Sequence, residues 1–313
     1  MFARIAVAAL ALTSLGAAPV QLPTNEATAS YTPAALVAAC QGKDGWAEPA
    51  PPAHLYGNTW YVGTCGITAL LVTTPNGHIL VDAGVPEAAP LVAANVEKLG
   101  FALRDVRWIV GSHEHFDHAG GIPELKRRTG ARIAGIAPWA KVISSGQPDM
   151  RDPQYDLLVQ HPIEQVKVDR IMPSGGRLTL GGVTLTATAT PAHSPGSTSW
   201  TWKACEGTAC RTITYADSTS TISSDSYRFT SHPDRVAAVK EGLKRVAGLP
   251  CGILITPHPS ASDLFERMMA GLEAQPSTCA AYAKAAEARF VARLAAEDAA
   301  TAAADAAKGV ANQ

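Results

Sequence analysis

The chain has 313 residues, of which 47% are apolar and 17% charged, and its formal net charge is −1. That composition belongs to a globular protein with a sizeable core, and the length allows one large domain or two small ones. No basic block breaks the charge balance, which argues against a nucleic-acid partner, because phosphate binding needs a clustered positive surface.

The N-terminus reads as a secretion signal. Arg4 supplies a small positive region, Ile5 to Leu15 is apolar apart from Thr13 and Ser14, and small residues follow at Gly16-Ala17-Ala18 and again at Ala27-Thr28-Ala29. The apolar run is too short to span a bilayer, and no later run is long and apolar enough to do so. Residues 1–29 are therefore expected to be a signal peptide and flexible lead, cleaved near 18 or 29. Residues 30–313 are expected to form one domain, with no membrane anchor. Six cysteines suit an exported chain: Cys40, Cys65, Cys205, Cys210, Cys251 and Cys279. They allow 15 pairings, and Cys205 and Cys210 are close enough to clamp a hairpin. None sits in a Cys-x-x-Cys motif, so a cysteine-based metal or redox site is not expected.

Past the stiff lead-in at residues 48–52, short β-rich runs are predicted at Thr59–Val62, Ile67–Thr73 and His78–Val81, with Pro75-Asn76-Gly77 turning between the last two. Val81-Asp82-Ala83-Gly84 ends a strand in a small-residue turn. Pro86–Leu99 reads as a helix with Pro early and Gly100 just past its end. Val106–Val110 reads as a buried strand, Gly121–Arg128 as a helix stopped at Gly130, and Arg132–Ile136 as another strand. Residues 137–165, with Pro138, Gly146, Pro148, Pro153 and Pro162, read as a long surface excursion. Strands are predicted again at Arg177–Leu180, Val183–Thr190, Ser199–Lys203, Thr212–Tyr215 and Gly252–Thr256. Helices are predicted at Ser231–Val246, with Ser231 as cap, and from Ser277 to about Ala300. Two runs of similar element order suggest two sheets packed together with helices outside.

His113-Glu114-His115-Phe116-Asp117-His118 places four metal-ligand types within six residues, directly after a buried strand. Imidazole and carboxylate suit Zn²⁺. Two histidines one residue apart can reach one ion, and the Asp-His pair that follows points to a second. His193, in Pro191-Ala192-His193-Ser194-Pro195-Gly196, and His258, in Pro257-His258-Pro259, also follow strands, and prolines on both sides limit their motion. His54, His78, His161 and His232 lack a partnering motif and are not expected to be ligands.

His-x-His-x-Asp-His, then His-x-Pro-Gly, then Pro-His after a strand resembles the pattern of the metallo-β-lactamase superfamily. Within it, the chain is similar to class B β-lactamases of the third subclass, B3. Asn58–Gly66, Gly77–Asp82, Ser112–Gly121, Tyr215–Ser218 and Leu254–Pro259 carry the likeness, which covers about residues 40 to 300. The resemblance implies an α/β fold, an αββα sandwich of two mixed β-sheets flanked by helices, with two zinc ions per monomer. It implies His113, His115 and His193 at the first ion and Asp117, His118 and His258 at the second, with Asp117 also assisting catalysis. It implies Ser218 and Ser220 as hydrogen-bond donors to a substrate carboxylate. It implies Asp82 as a residue behind a ligand, and the pairs Cys251–Cys279, Cys40–Cys65 and Cys205–Cys210. Ala83 and Ala192 depart from it, since many members carry Gly at both.

The expected activity is hydrolysis of the β-lactam amide of penicillins, cephalosporins and carbapenems by zinc-supplied hydroxide, giving antibiotic resistance. The expected protein is a monomeric periplasmic enzyme with a small-molecule substrate. The absence of a Gly-x-Ser-x-Gly elbow and of Ser-x-x-Lys argues against a serine enzyme. A glyoxalase-II-like thioesterase or a lactonase is the alternative, favoured if Asp217 reaches both ions. A closed structural zinc site is disfavoured, because six N and O ligands for two ions leave open positions.

Overall fold

The computed structural model describes residues 30–272 and 278–311, so the expected signal segment and Ser277 lie outside the described residues. Two sheets are present among them. In the first, Ala53–Tyr56 (β1), Thr59–Tyr61 (β2), Leu70–Thr74 (β3), Gly77–Val81 (β4), Val106–Val110 (β5), Arg132–Ile136 (β6) and Arg170–Met172 (β7) neighbour one another in that order. β1 to β4 run antiparallel, and β4 to β7 run parallel. In the second, Arg177–Leu180 (β8), Val183–Ala189 (β9), Thr198–Glu206 (β10), Ala209–Tyr215 (β11) and Ile253–Ile255 (β12) lie in the order β12-β11-β10-β9-β8, parallel only between β11 and β12.

The inner faces meet in one core. Leu71, Ile79 and Ile109 of the first sheet share it with Leu185, Trp200 and Ile213 of the second. Helices cover the outer faces: Pro33–Cys40 (α1), Ala89–Lys98 (α2), Phe116–Ala119 (α3), Ile122–Thr129 (α4), Ala137–Ser145 (α5), Tyr155–Leu158 (α6), Pro233–Ala247 (α7), Leu264–Ala270 (α8) and Cys279–Ala311 (α9). α9 packs on α7 through Phe290 and Ala286, which meet Val239, Leu243 and Phe229. The αββα sandwich expected from the sequence is the fold observed. The three disulfides are Cys40–Cys65, Cys205–Cys210 and Cys251–Cys279, the pairs implied by the resemblance.

The largest difference from the sequence reading lies at residues 137–165. α5 is a real helix whose Trp139, Ala140, Val142 and Ile143 are buried, so this stretch contributes to the core instead of only crossing the surface. Pro138 stands in the first turn, where proline is favoured, and Gly146 closes the helix in the left-handed conformation, so the supposed breakers are its start and stop signals. Ser231 does not cap α7. The residue before the helix is His232, which makes no side-chain cap bond, and Pro233 opens the first turn. α1, α8, β1 and β7 went unpredicted because each is eight residues or fewer and shows no clear period.

Candidate metal centre

The parallel strands β4 and β5 end on the same edge as β9, β11 and β12. Loops leaving these five strands carry Asp82, the 112–118 motif, His193, residues 216–220 and His258. Ligands gather where strand ends open into loops, at the carboxyl edge of such sheets. Gly111 admits the motif to that edge: a Cβ there would lie 2.7 Å from the Trp139 indole.

His113 Nδ1–H donates to Asp217 Oδ1 (2.8 Å), His115 Nε2–H to Asp152 Oδ2 (2.9 Å) and His193 Nδ1–H to the Ser220 carbonyl (2.8 Å). Because a carboxylate or carbonyl only accepts, these bonds set each tautomer and leave lone pairs on His113 Nε2, His115 Nδ1 and His193 Nε2. The three atoms lie within 4.8 Å of one another. His113 Nε2 is buried without a hydrogen-bond partner, and His115 Nδ1 and His193 Nε2 stand 3.1 Å apart. A buried, orphaned imidazole nitrogen facing two others suits a cation bound between them.

A second group lies beside the first. His113, Asp117 and His118 also offer ligand atoms within 4.8 Å of one another. His118 Nε2 is 3.1 Å from Asp117 Oδ2 and 3.3 Å from His258 Nε2, and His258 Nε2 is 3.3 Å from Asp117 Oδ2. His258 Nδ1–H donates to the Gly66 carbonyl (3.2 Å), which turns Nε2 inward. Asp82 sits behind His118 with Oδ2 3.3 Å from its Nδ1. It also accepts from Ser112 N, Ser112 Oγ and Tyr215 Oη, all at 2.6 Å. Its φ of 60° is a left-handed conformation that a non-glycine residue holds only when its surroundings enforce it.

Burial, reinforced by the neighbouring histidines, holds His113 well below the imidazole range and His193 at about 3. His115 is also disfavoured as a cation by burial, but the Asp152 charge and hydrogen bond win and lift it to about 8. His118 is lifted against burial to about 10 by Asp117 and then Asp82. A cation taken up at His115 and His118 would therefore displace protons.

The six sequence-predicted ligands thus converge, as do Ser218 and Ser220, which line the same cavity of about 660 Å³. Ser220 Oγ also lies 3.0 Å from His193 Nδ1. Trp46, Phe116, Ile222 and Arg289 form part of the cavity wall. His161 stacks on Phe116 with ring centroids 4.6 Å apart, and His54, His78 and His232 belong to neither ligand group. Asp152 was missed. It lies in the 137–165 stretch, 37 residues from His115, and nothing in its local sequence marks it.

A family profile described as the Metallo-beta-lactamase superfamily matches residues 62–207. Metallo-β-lactamase MIM-1 from Novosphingobium pentaromativorans is 54% identical, with a TM-score of 0.82 over 85% of this chain and 98% of that one. MEM-A1, a subclass B3 metallo-β-lactamase from a soil metagenome library, is 40% identical, with a TM-score of 0.77 over 82% of this chain and 99% of that one. The chain belongs to the metallo-β-lactamase superfamily and is a hydrolase of that family. Its structural neighbours place it with subclass B3. Curated relatives match over less: a hydroxyacylglutathione hydrolase of Rhodopseudomonas palustris (strain BisB5) is 35% identical over 88 residues, 28% of this chain and 32% of that protein. The chain thus spans about a third of the length of that relative.

Proposed function

We propose that this protein is a zinc-dependent β-lactamase that opens the β-lactam ring of penicillins, cephalosporins and carbapenems. On this reading His113, His115 and His193 hold one Zn²⁺, and Asp117, His118 and His258 hold the other. Two such ions, when bound, supply hydroxide near neutral pH and polarise the carbonyl under attack. Asp117 lies between His118 and His258, where its carboxylate can orient the attacking water and pass a proton to the departing ring nitrogen. Water adds across the amide: the C–N bond breaks, a carboxylate forms, and the ring nitrogen leaves as an amine. Ser218, at the cavity wall, donates to the substrate carboxylate together with Ser220, and Arg289 adds the only lysine or arginine charge among the described lining residues.

The observation that carries this reading over thioester hydrolysis is the position of Asp217. Its Oδ1 accepts from His113 Nδ1, the ring nitrogen opposite the Nε2 that faces the other imidazoles, so on this reading it supports a ligand instead of bridging two ions. The partial match to hydroxyacylglutathione hydrolases keeps thioester cleavage as the second reading. Three disulfides fit an oxidising compartment, and we propose that residues 1–29 direct export to the periplasm and that 30–313 form one catalytic domain. A zinc titration with a chromogenic cephalosporin and a glutathione thioester tests the assignment. Zinc-dependent, chelator-sensitive ring opening is expected. Thioester cleavage without ring opening, or zinc binding with neither activity, overturns it.

A further inference from the structure

His193, like His258, lies outside the short segment that His113, His115 and His118 share, and it stands in the loop between β9 and β10. Pro191 and Pro195 stiffen this loop but remove two backbone donors. Its backbone is instead held from both flanks by two buried charged side chains that no ligand chemistry requires. On one flank, Arg235 in the first turn of α7 donates from one guanidinium nitrogen to the Pro191 carbonyl (2.7 Å) and from the other to the Ala192 carbonyl (2.9 Å). On the other, Glu114 accepts from Ser194 Oγ (2.7 Å) and from the Gly196 amide (2.8 Å).

We infer that Arg235 and Glu114 are positioning residues that splint the 191–196 loop and so set the aim of His193 at the metal centre. Four features support this. Arg235 is 7% exposed and takes part in none of the ion pairs among the described residues, so it is retained at a desolvation penalty that two carbonyl acceptors only partly offset. Its planar fork reaches two successive carbonyls at once, which an ammonium on a flexible stem does not reproduce. Glu114 lies between His113 and His115, so its two bonds fix the His193 loop directly to the segment bearing the other two ligands of the first group. α7 also lies flush on the loop because Gly242 has no side chain: a Cβ there would fall 2.5 Å from Ala192 N.

The inference rests on His193 being a ligand, and the test separates the two claims. Zinc affinity is measured by competition with a chromophoric chelator on the full chain, alongside the Co²⁺ absorption spectrum and the thermal midpoint of the metal-free protein. Arg235→Met is expected to weaken one of the two binding events by roughly 10–100-fold, the range seen when residues supporting a ligand are removed. Its Co²⁺ spectrum should change, and Arg235→Lys should not restore it. Gly242→Ala is the second variant: alanine favours the helix itself while pushing on Ala192, so it should weaken the same binding event even if Arg235→Met does not fold. Wild-type affinity and an unchanged Co²⁺ spectrum in Arg235→Met or Gly242→Ala, with only the thermal midpoint altered, would overturn the splint. A wild-type chain that binds no zinc would overturn the ligand assignment itself.

Discussion

Replacing Asp152 with Asn should weaken metal binding in a way that depends on pH. Asp152 is buried and takes a 2.9 Å hydrogen bond from His115 Nε2 and another of 2.8 Å from the Gln154 amide. Asparagine keeps one acceptor oxygen for His115, so the ring stays oriented and that bond loses only its charge, while the Gln154 N–H loses its acceptor to the amide NH2. A hydrogen bond to a charged group contributes about 1.5–3 kcal/mol against about 0.5–1.5 for a neutral one, so the swap removes about 1–1.5 kcal/mol, near tenfold in affinity. Asp152→Ala removes orientation as well and should cost closer to a hundredfold. The same carboxylate raises the His115 pKa to about 8 against burial. Below pH 8 the wild-type ligand must therefore shed a proton to bind metal, a penalty that grows as pH falls. In Asp152→Asn the largest upward influence on His115 is gone and burial is opposed only by the Glu114 and Asp117 charges, so its pKa falls and the penalty shrinks. The tenfold loss should appear in full above pH 8 and shrink toward pH 6.5. Chelator competition across pH 6.5–9 measures it. Equal affinities at pH 9, or a loss that widens as pH falls, would refute the reasoning.

Arg289→Gln should raise KM for carboxylate-bearing β-lactams roughly two- to fivefold with little change in kcat, as for an exposed ion pair, and should flatten the salt dependence of kcat/KM; an unchanged KM counts against its place in substrate binding. Burial, only partly opposed by Asp105, lowers His78 to about 4. Its unfolded form takes a proton first, near 6.5, so its stabilising contribution is complete above pH 6.5. It is lost as pH falls toward 4, by on the order of 3 kcal/mol at most. Urea midpoints of His78→Gln should consequently vary less between pH 7 and pH 4.5 than those of the wild type. The Cys251–Cys279 bridge closes a sequence separation of 28, and loop-closure entropy assigns it about 3.6 kcal/mol, against about 2 for Cys205–Cys210 with a separation of 5. Paired Cys→Ser variants compared by urea denaturation should rank in that order.

All six ligand candidates were legible in the sequence, because each sits in a short motif beside a strand whose apolar run is itself legible. The sheet strands that carry them were found for the same reason: a buried strand and the turn after it are written in consecutive residues. Asp82 apart, what tertiary structure alone decided is the set of groups standing behind the ligand candidates. Asp152 reaches His115 across 37 residues, Asp217 reaches His113 across 104, and Gly66 reaches His258 across 192. Arg235 meets the 191–192 carbonyls from a helix more than 40 residues away. α5 was hidden because Pro138 breaks a helix in its interior but starts one in its first turn, and only the packing of Trp139 into the core distinguishes the two. Residue type and spacing specify which side chains can bind a cation. The direction of each imidazole lone pair is set by hydrogen bonds to partners far away in the chain, and those directions exist only once the two sheets have closed on each other.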